Sequence, residues 1–112
     1  MIGSELTATF RGMTLEGTYN DGEDTKYRET YNPDGTILYH DEDHGDQNGV
    51  WAVNGNTFCT YYEGIPGSCF QVTTEGTNCF SFTAVAFADR PAPPNDWTAR
   101  GWNNNAASSC PN

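Results

Sequence analysis

Positive charge is scarce in this chain: five Lys and Arg stand against fifteen Asp and Glu, a formal net charge of −10 at pH 7. A phosphate backbone would be repelled, and no basic stripe exists to hold one, so no nucleic acid is expected as a partner. No apolar run approaches the roughly 20 residues of a transmembrane helix, so no membrane span is expected. There is no C-x-x-C pair, which removes the usual zinc clip and the reactive dithiol at a helix start. There is no G-x-S-x-G elbow, neither His lies in a recognisable triad context, and no cofactor motif appears. An N-x-[ST] acceptor is also missing. Met1 leads straight into the polar Gly3-Ser4-Glu5 instead of a charged and then apolar segment. This reads as a processed protein in which a start Met replaces the export signal.

Acidic residues are plentiful. Their plainest role is solubility, and the other is to steer a cationic ligand or protein. A carboxylate pair for glycoside hydrolysis can always be imagined in such a chain, but abundance is not evidence of catalysis.

Four cysteines are present, with Cys59, Cys69 and Cys79 ten residues apart and Cys110 near the end. An even count in a short chain without metal-type spacing reads as a disulfide framework made in an oxidising compartment, here periplasmic or secreted. A chain of 112 residues suits one domain with a modest core, so covalent staples matter.

Strand signals dominate from Thr14 onward as short runs rich in Thr, Tyr, Phe, Val and Trp between Gly, Asn, Asp and Pro. Seven are expected: 14–19, 26–31, 36–40, 49–53, 57–62, 68–73 and 78–86. Asn32-Pro33-Asp34-Gly35 suits a type I turn with a following bulge. Asn54-Gly55 suits a type I′ loop, which would set Val53 opposite Asn56 and Trp51 opposite Phe58. Successive strands joined by tight turns make an antiparallel meander. Ahead of it, Ser4 is placed to cap a short helix ending at Phe10 or Arg11, with Gly12 as terminator. Two turns are unstable alone, so this helix must pack on the sheet, across one mouth of a barrel.

The chain therefore divides into residues 1–88, helix plus barrel, and 89–112, a Pro-, Trp- and Asn-rich tail packed on the same domain. Alternation collects Leu15, Tyr19, Tyr27, Tyr31, Leu38, Trp51, Val53, Phe58, Phe70, Val72, Phe80 and Phe82 on one face. Cys59, Cys69 and Cys79 share the other face on consecutive strands. Next-nearest strands lie roughly 9.6 Å apart, beyond the ~7 Å reach of a disulfide, so Cys59 does not pair with Cys79. Two connectivities survive: Cys59–Cys69 with Cys79–Cys110, or Cys69–Cys79 with Cys59–Cys110. The first is favoured because the Glu63-to-Gly67 loop centres between Cys59 and Cys69. The long bridge would then strap the tail over the outer face.

The strings Gly17-Thr18-Tyr19, Glu29-Thr30-Tyr31-Asn32-Pro33-Asp34-Gly35-Thr36, Gly49-Val50-Trp51-Ala52-Val53-Asn54-Gly55-Asn56-Thr57-Phe58-Cys59 and Cys69-Phe70 resemble a group of small exported proteobacterial proteins of unknown function. These look like minimal lipocalin-like, or calycin-like, β-barrels. The resemblance spans residues 12–85 and implies a barrel fold but no catalytic residues. The tail, Cys79 and Cys110 depart from it.

Candidate sites follow from that barrel. Alternation puts Glu29 on the face of Tyr27 and Tyr31, where a carboxylate needs a partner or a raised pKa. It either pairs with Arg11 or Arg90 at the rim, or anchors a ligand between apolar walls of Tyr27, Tyr31, Trp51 and Phe58. The 41–48 segment, Asp41-Glu42-Asp43-His44-Gly45-Asp46-Gln47-Asn48, is the densest polar stretch and reads as a solvated loop. It lacks EF-hand order, leaving Asp41, Asp43 and Asp46 as weak candidates for a divalent cation, with His40 and His44 as weak zinc donors. The functional expectation is a non-enzymatic binding protein for a small apolar or aromatic ligand. The alternative is a protein-binding or enzyme-inhibiting module acting through the 41–48 loop or the Trp97 and Trp102 tail.

Overall fold

The computed structural model describes residues 1–112 except 21, 23, 64–67, 87–97 and 112. A helix α1 (Gly3–Phe10) precedes β1 (Thr14–Tyr19), β2 (Lys26–Tyr31), β3 (Thr36–Asp41), β4 (Gly45–Asn54), β5 (Thr57–Tyr62), β6 (Ser68–Thr74), β7 (Phe80–Ala86) and β8 (Ala99–Asn103). Each strand pairs antiparallel with the next, and β8 returns to β1, so the meander closes into an eight-stranded barrel. Closure removes the unpaired sheet edges that would otherwise invite aggregation. No helix among the described residues is long and apolar enough to cross a membrane.

The eighth strand was not foreseen. Ala99-Arg100-Gly101-Trp102-Asn103 has no β-branched residue and a central glycine, so its strand signal is weak. That glycine is what admits it: a Cβ on Gly101 would lie 2.6 Å from the Leu15 side chain. The segment expected to lie over the outer face thus supplies the strand that closes the barrel. Beyond it, Asn78 holds the chain end. Its amide donates to the carbonyls of Asn103, Ala106 and Ala107, its Oδ1 accepts the Asn103 N–H, and its own N–H donates to Ser109 Oγ.

Both disulfides take the favoured pairing. Cys59 and Cys69 are cross-strand neighbours, and Cys79 bonds Cys110, tethering the tail. Cys79 itself lies just before β7, which begins at Phe80 rather than at 78.

The turns show where local patterning decides register. The expected type I turn with a bulge forms: Gly35 N–H donates to Asn32 O, Asn32 N–H donates to Thr36 O, and Gly35 takes φ +92°. That loop sets Tyr31 opposite Ile37, so Ile37 and Tyr39 face inward and Leu38 faces solvent at 54% exposure. Placing Leu38 in the core was therefore wrong, because the turn outranks the hydrophobicity of one residue. The β4–β5 loop is Gly55-Asn56 rather than Asn54-Gly55, so Asn54 opposes Thr57 and Val53 opposes Phe58. Gly55 alone has positive φ there (+61°), as a type II′ loop requires of its first central residue. The two registers differ by an even step, so every side chain keeps its face. Trp51 and Phe58 still stack, diagonally, at 5.9 Å. The 41–48 segment is no loop; it is the paired end of β3 and the first part of β4 around a short turn.

The helix starts earlier than expected. Ile2 is the N-cap and has no side-chain cap; instead Glu5 Oε1 accepts the Ile2 N–H at 3.1 Å and Asn56 Oδ1 accepts the Gly3 N–H at 2.9 Å. With those donors satisfied, Ser4 is not required as a cap. Gly3 permits the contact with the β4–β5 hairpin, since a Cβ there would meet Gly55 O at 2.4 Å. At the other end Gly12, at φ +79°, stops the helix as expected and donates to Tyr31 O at 2.7 Å. Leu6 and Phe10, four residues apart, are fully buried and plug this end of the barrel.

Candidate functional site

Inward positions of the strands divide the barrel interior into two chemically distinct ends. Beneath α1 the Phe10 ring packs against Phe58 at 4.7 Å, Phe80 at 5.1 Å, Tyr31 at 5.6 Å and Phe82 at 5.8 Å. Trp51 leans on Phe58 and Tyr31, and its indole N–H donates to Asn32 O at 2.9 Å. Of the five residues expected to hold a ligand, Tyr31 and Phe58 therefore pack against Phe10 of the helix, and Trp51 packs on those two. The other two, Tyr27 and Glu29, lie further along β2 toward the end opposite α1.

That second end is built from tyrosine. A belt of rings runs from Tyr19 to Tyr27 (4.6 Å), to Tyr39 (6.2 Å) and to Tyr62 (5.0 Å). The belt needs room, and inward glycines provide it. A Cβ on Gly17 would lie 2.7 Å from the Tyr27 ring, and one on Gly49 would lie 2.8 Å from Tyr62. Tyr19 belonged to the expected core, but Tyr39, Tyr62 and an inward Asp41 did not. All three were readable from parity: Tyr39 and Asp41 follow Ile37 by twos, and Tyr62 follows Phe58 by fours.

Two carboxylates stand among these rings. Glu29, 8% exposed, accepts the Tyr31 hydroxyl at 2.7 Å and the Tyr62 hydroxyl. It does not pair with Arg11, which is exposed beside the helix end; Arg90 lies outside the described residues. The Tyr62 bond crosses the interior from β5 to β2, with β3 and β4 between them on the meander. Asp41 accepts the Tyr39 hydroxyl, whose oxygen is 2.7 Å from that of Tyr19. Its own turn covers its other side: the backbone N–H groups of Asp43 and His44 donate to Oδ1, and the His44 ring Nδ1 is 2.9 Å from Oδ2.

These surroundings drive the two acids apart. Burial pushes the Glu29 carboxyl above its ordinary range, and the two phenol bonds only partly offset it. Burial also acts on Asp41, but the hydrogen bonds from Tyr39, His44 and Asp43 outweigh it and hold this carboxyl low. Burial, then the nearby Glu29 charge, raises Tyr27, Tyr31 and Tyr62, while burial and the Tyr19 neighbour raise Tyr39. The phenols therefore remain protonated donors throughout the physiological range.

Asp41, Asp43 and Asp46 diverge. Asp41 points into the barrel, Asp43 is exposed on the turn, and Asp46 sits on the outer face 2.8 Å from His40. Among the described residues, no group of three or more His, Cys, Asp and Glu side chains converges as a metal site. Of the surfaces named for a protein partner, Trp102 is half-buried in β8 and Trp97 lies outside the described residues. Leu38, Val50 and Tyr61 are the large apolar side chains exposed on the outer face of β3 to β5.

The architecture, a small closed eight-stranded antiparallel barrel, is of the calycin-like kind in general form. Compared with models of protein families, with curated proteins and with solved structures, the chain matches none.

Proposed function

We propose that this is a non-enzymatic binding protein of lipocalin-like type that takes a small aromatic or apolar molecule into the tyrosine-lined end of its barrel. One observation carries the reading: the interior is asymmetric. One end is sealed by α1 and a phenylalanine cluster, and the other presents ring faces with a few directed polar groups, as small-molecule sites do. Asp41 serves its own turn, but a purely structural filling has no need of the Glu29 carboxylate, since buried carboxylates are costly. Two disulfides support action in the periplasm or outside the cell.

Native mass spectrometry of protein purified from periplasm, with a thermal-shift screen of small aromatic compounds, tests this. A retained mass, or a stabilisation of about 2.7 kcal/mol at a hundredfold excess over Kd, is the expected result. A clean apo monomer that no compound stabilises would overturn it.

A further inference from the structure

Resting on that reading, the geometry points to a cationic ligand: an organic ammonium ion whose charged head meets the Glu29 carboxylate and whose body lies against the faces of Tyr27, Tyr39 and Tyr62. Three independent features converge on positive charge.

The first is the charge balance inside the barrel. Glu29 and Asp41 both project inward, and His44 already meets Asp41, yet every Lys and Arg side chain among the described residues is elsewhere. Arg11 is exposed at the helix end, and Lys26 and Arg28 occupy the outward positions of β2. Arg100 lies on the outer face, 2.8 Å from Glu75 and bonded to Ser81. The groups that face Glu29 are Tyr27 and Tyr31 on its own strand, Leu15 and Tyr39 as cross-strand partners on β1 and β3, and Tyr62 from β5. A nearly buried carboxylate that, among the described residues, meets neutral phenols and no Lys or Arg gains most from a mobile cation.

The second is the kind of surface beside it. Tyrosine faces carry negative electrostatic potential, and several rings around one point attract an ammonium group by about 0.5–2 kcal/mol each when desolvated. Among the described residues, Phe58, Phe80 and Phe82 pack around Phe10 and Phe70 packs on Phe82, while the end that holds Glu29 is lined by the Tyr19–Tyr27–Tyr39–Tyr62 belt. The third is the field of the whole molecule, whose net charge of −10 concentrates cations at its surface.

The test compares 2-phenylethylammonium with its uncharged analogue 2-phenylethanol by isothermal titration calorimetry on the full, disulfide-bonded chain. The ammonium compound should bind at least tenfold more tightly at low salt. Glu29→Gln, which keeps the shape and removes the charge, should abolish that preference. Circular dichroism in the near ultraviolet confirms that the variant retains native packing, and Asp46→Asn, which removes one negative charge from the outer face, should retain the preference. Binding of the ammonium compound at pH 5 should also release a proton from Glu29 in the wild type, seen as a heat that depends on the buffer, and should not in Glu29→Gln. Equal or tighter binding of the alcohol would overturn the cationic assignment while leaving interior binding intact. Failure of both compounds to bind would overturn the assignment together with the reading beneath it.

Discussion

Phe10→Ala should be among the most damaging single changes in the molecule. The ring is fully buried and touches four aromatic rings from β2, β5 and β7 at centroid distances of 4.7–5.8 Å. Removing it forfeits the transfer energy of the ring and leaves a void that the surrounding strands, locked by their ladders, cannot close. Phe→Ala changes of this type cost about 3–5 kcal/mol. For a domain of this size that corresponds to a fall of roughly 12–30 °C in melting temperature, at about 4–6 °C per kcal/mol. Guanidinium unfolding with the disulfides intact, followed by fluorescence of Trp51 beside Phe58, would give the midpoint and slope. An unchanged slope with a lower midpoint would report lost stability without a change in the surface exposed on unfolding. Phe10→Leu should recover most of the loss. If Phe10→Ala cost under about 1 kcal/mol, the helix would not be the plug of this barrel, and the division of the interior into a sealed end and a tyrosine end would fall with it.

Four further outcomes follow from named contacts. Glu29 has a raised folded pKa, so the native state binds more protons than the unfolded state. Stability should decline as pH rises from the ordinary carboxyl value of 4.5 through the folded pKa, and urea titrations of Glu29→Gln should lack that decline. Asp41 is the opposite case: its contribution is present above 3.8 and lost as pH falls through its depressed folded value, a loss that Asp41→Asn should remove. Gly17→Val forces a side chain onto the Tyr27 ring and should cost about 1–3 kcal/mol by chemical denaturation, with displacement of the Tyr27 ring seen by nuclear magnetic resonance. Asn78→Ala strands the carbonyls of Asn103, Ala106 and Ala107, so amide exchange should accelerate in 104–110 with a loss of about 1–3 kcal/mol.

What the sequence determined by itself is local or combinatorial. The Asn32–Gly35 turn, the Gly12 helix stop, the Leu6 and Phe10 spacing and the alternation of β1, β2 and β5 are each set by a few adjacent residues, and each is realised. Cysteine pairing was narrowed by a distance argument that needs only the order of the strands. Leu38 faces solvent because the Asn32–Gly35 turn already dictates the parity of β3, whatever the hydrophobicity of one residue. The Asn54-Gly55 loop failed by one residue, since Gly55-Asn56 offers an equally good turn and the choice lies in how β4 and β5 pair.

Tertiary structure decided the rest. Ala99–Asn103 becomes a strand only because β1 and β7 leave a gap that glycines at 17 and 101 allow it to fill, an effect of barrel closure that no local window contains. The candidate site shows the same division. Tyr27 and Glu29 were legible from alternation along one strand. The belt with Tyr19, Tyr39 and Tyr62 joins four strands spread over 44 residues, and the phenol that reaches Glu29 comes across the interior from β5. Whether a buried carboxylate meets an arginine or two tyrosines depends on which side chains the closed barrel turns toward it, and that is a property of the fold's geometry rather than of any stretch of sequence.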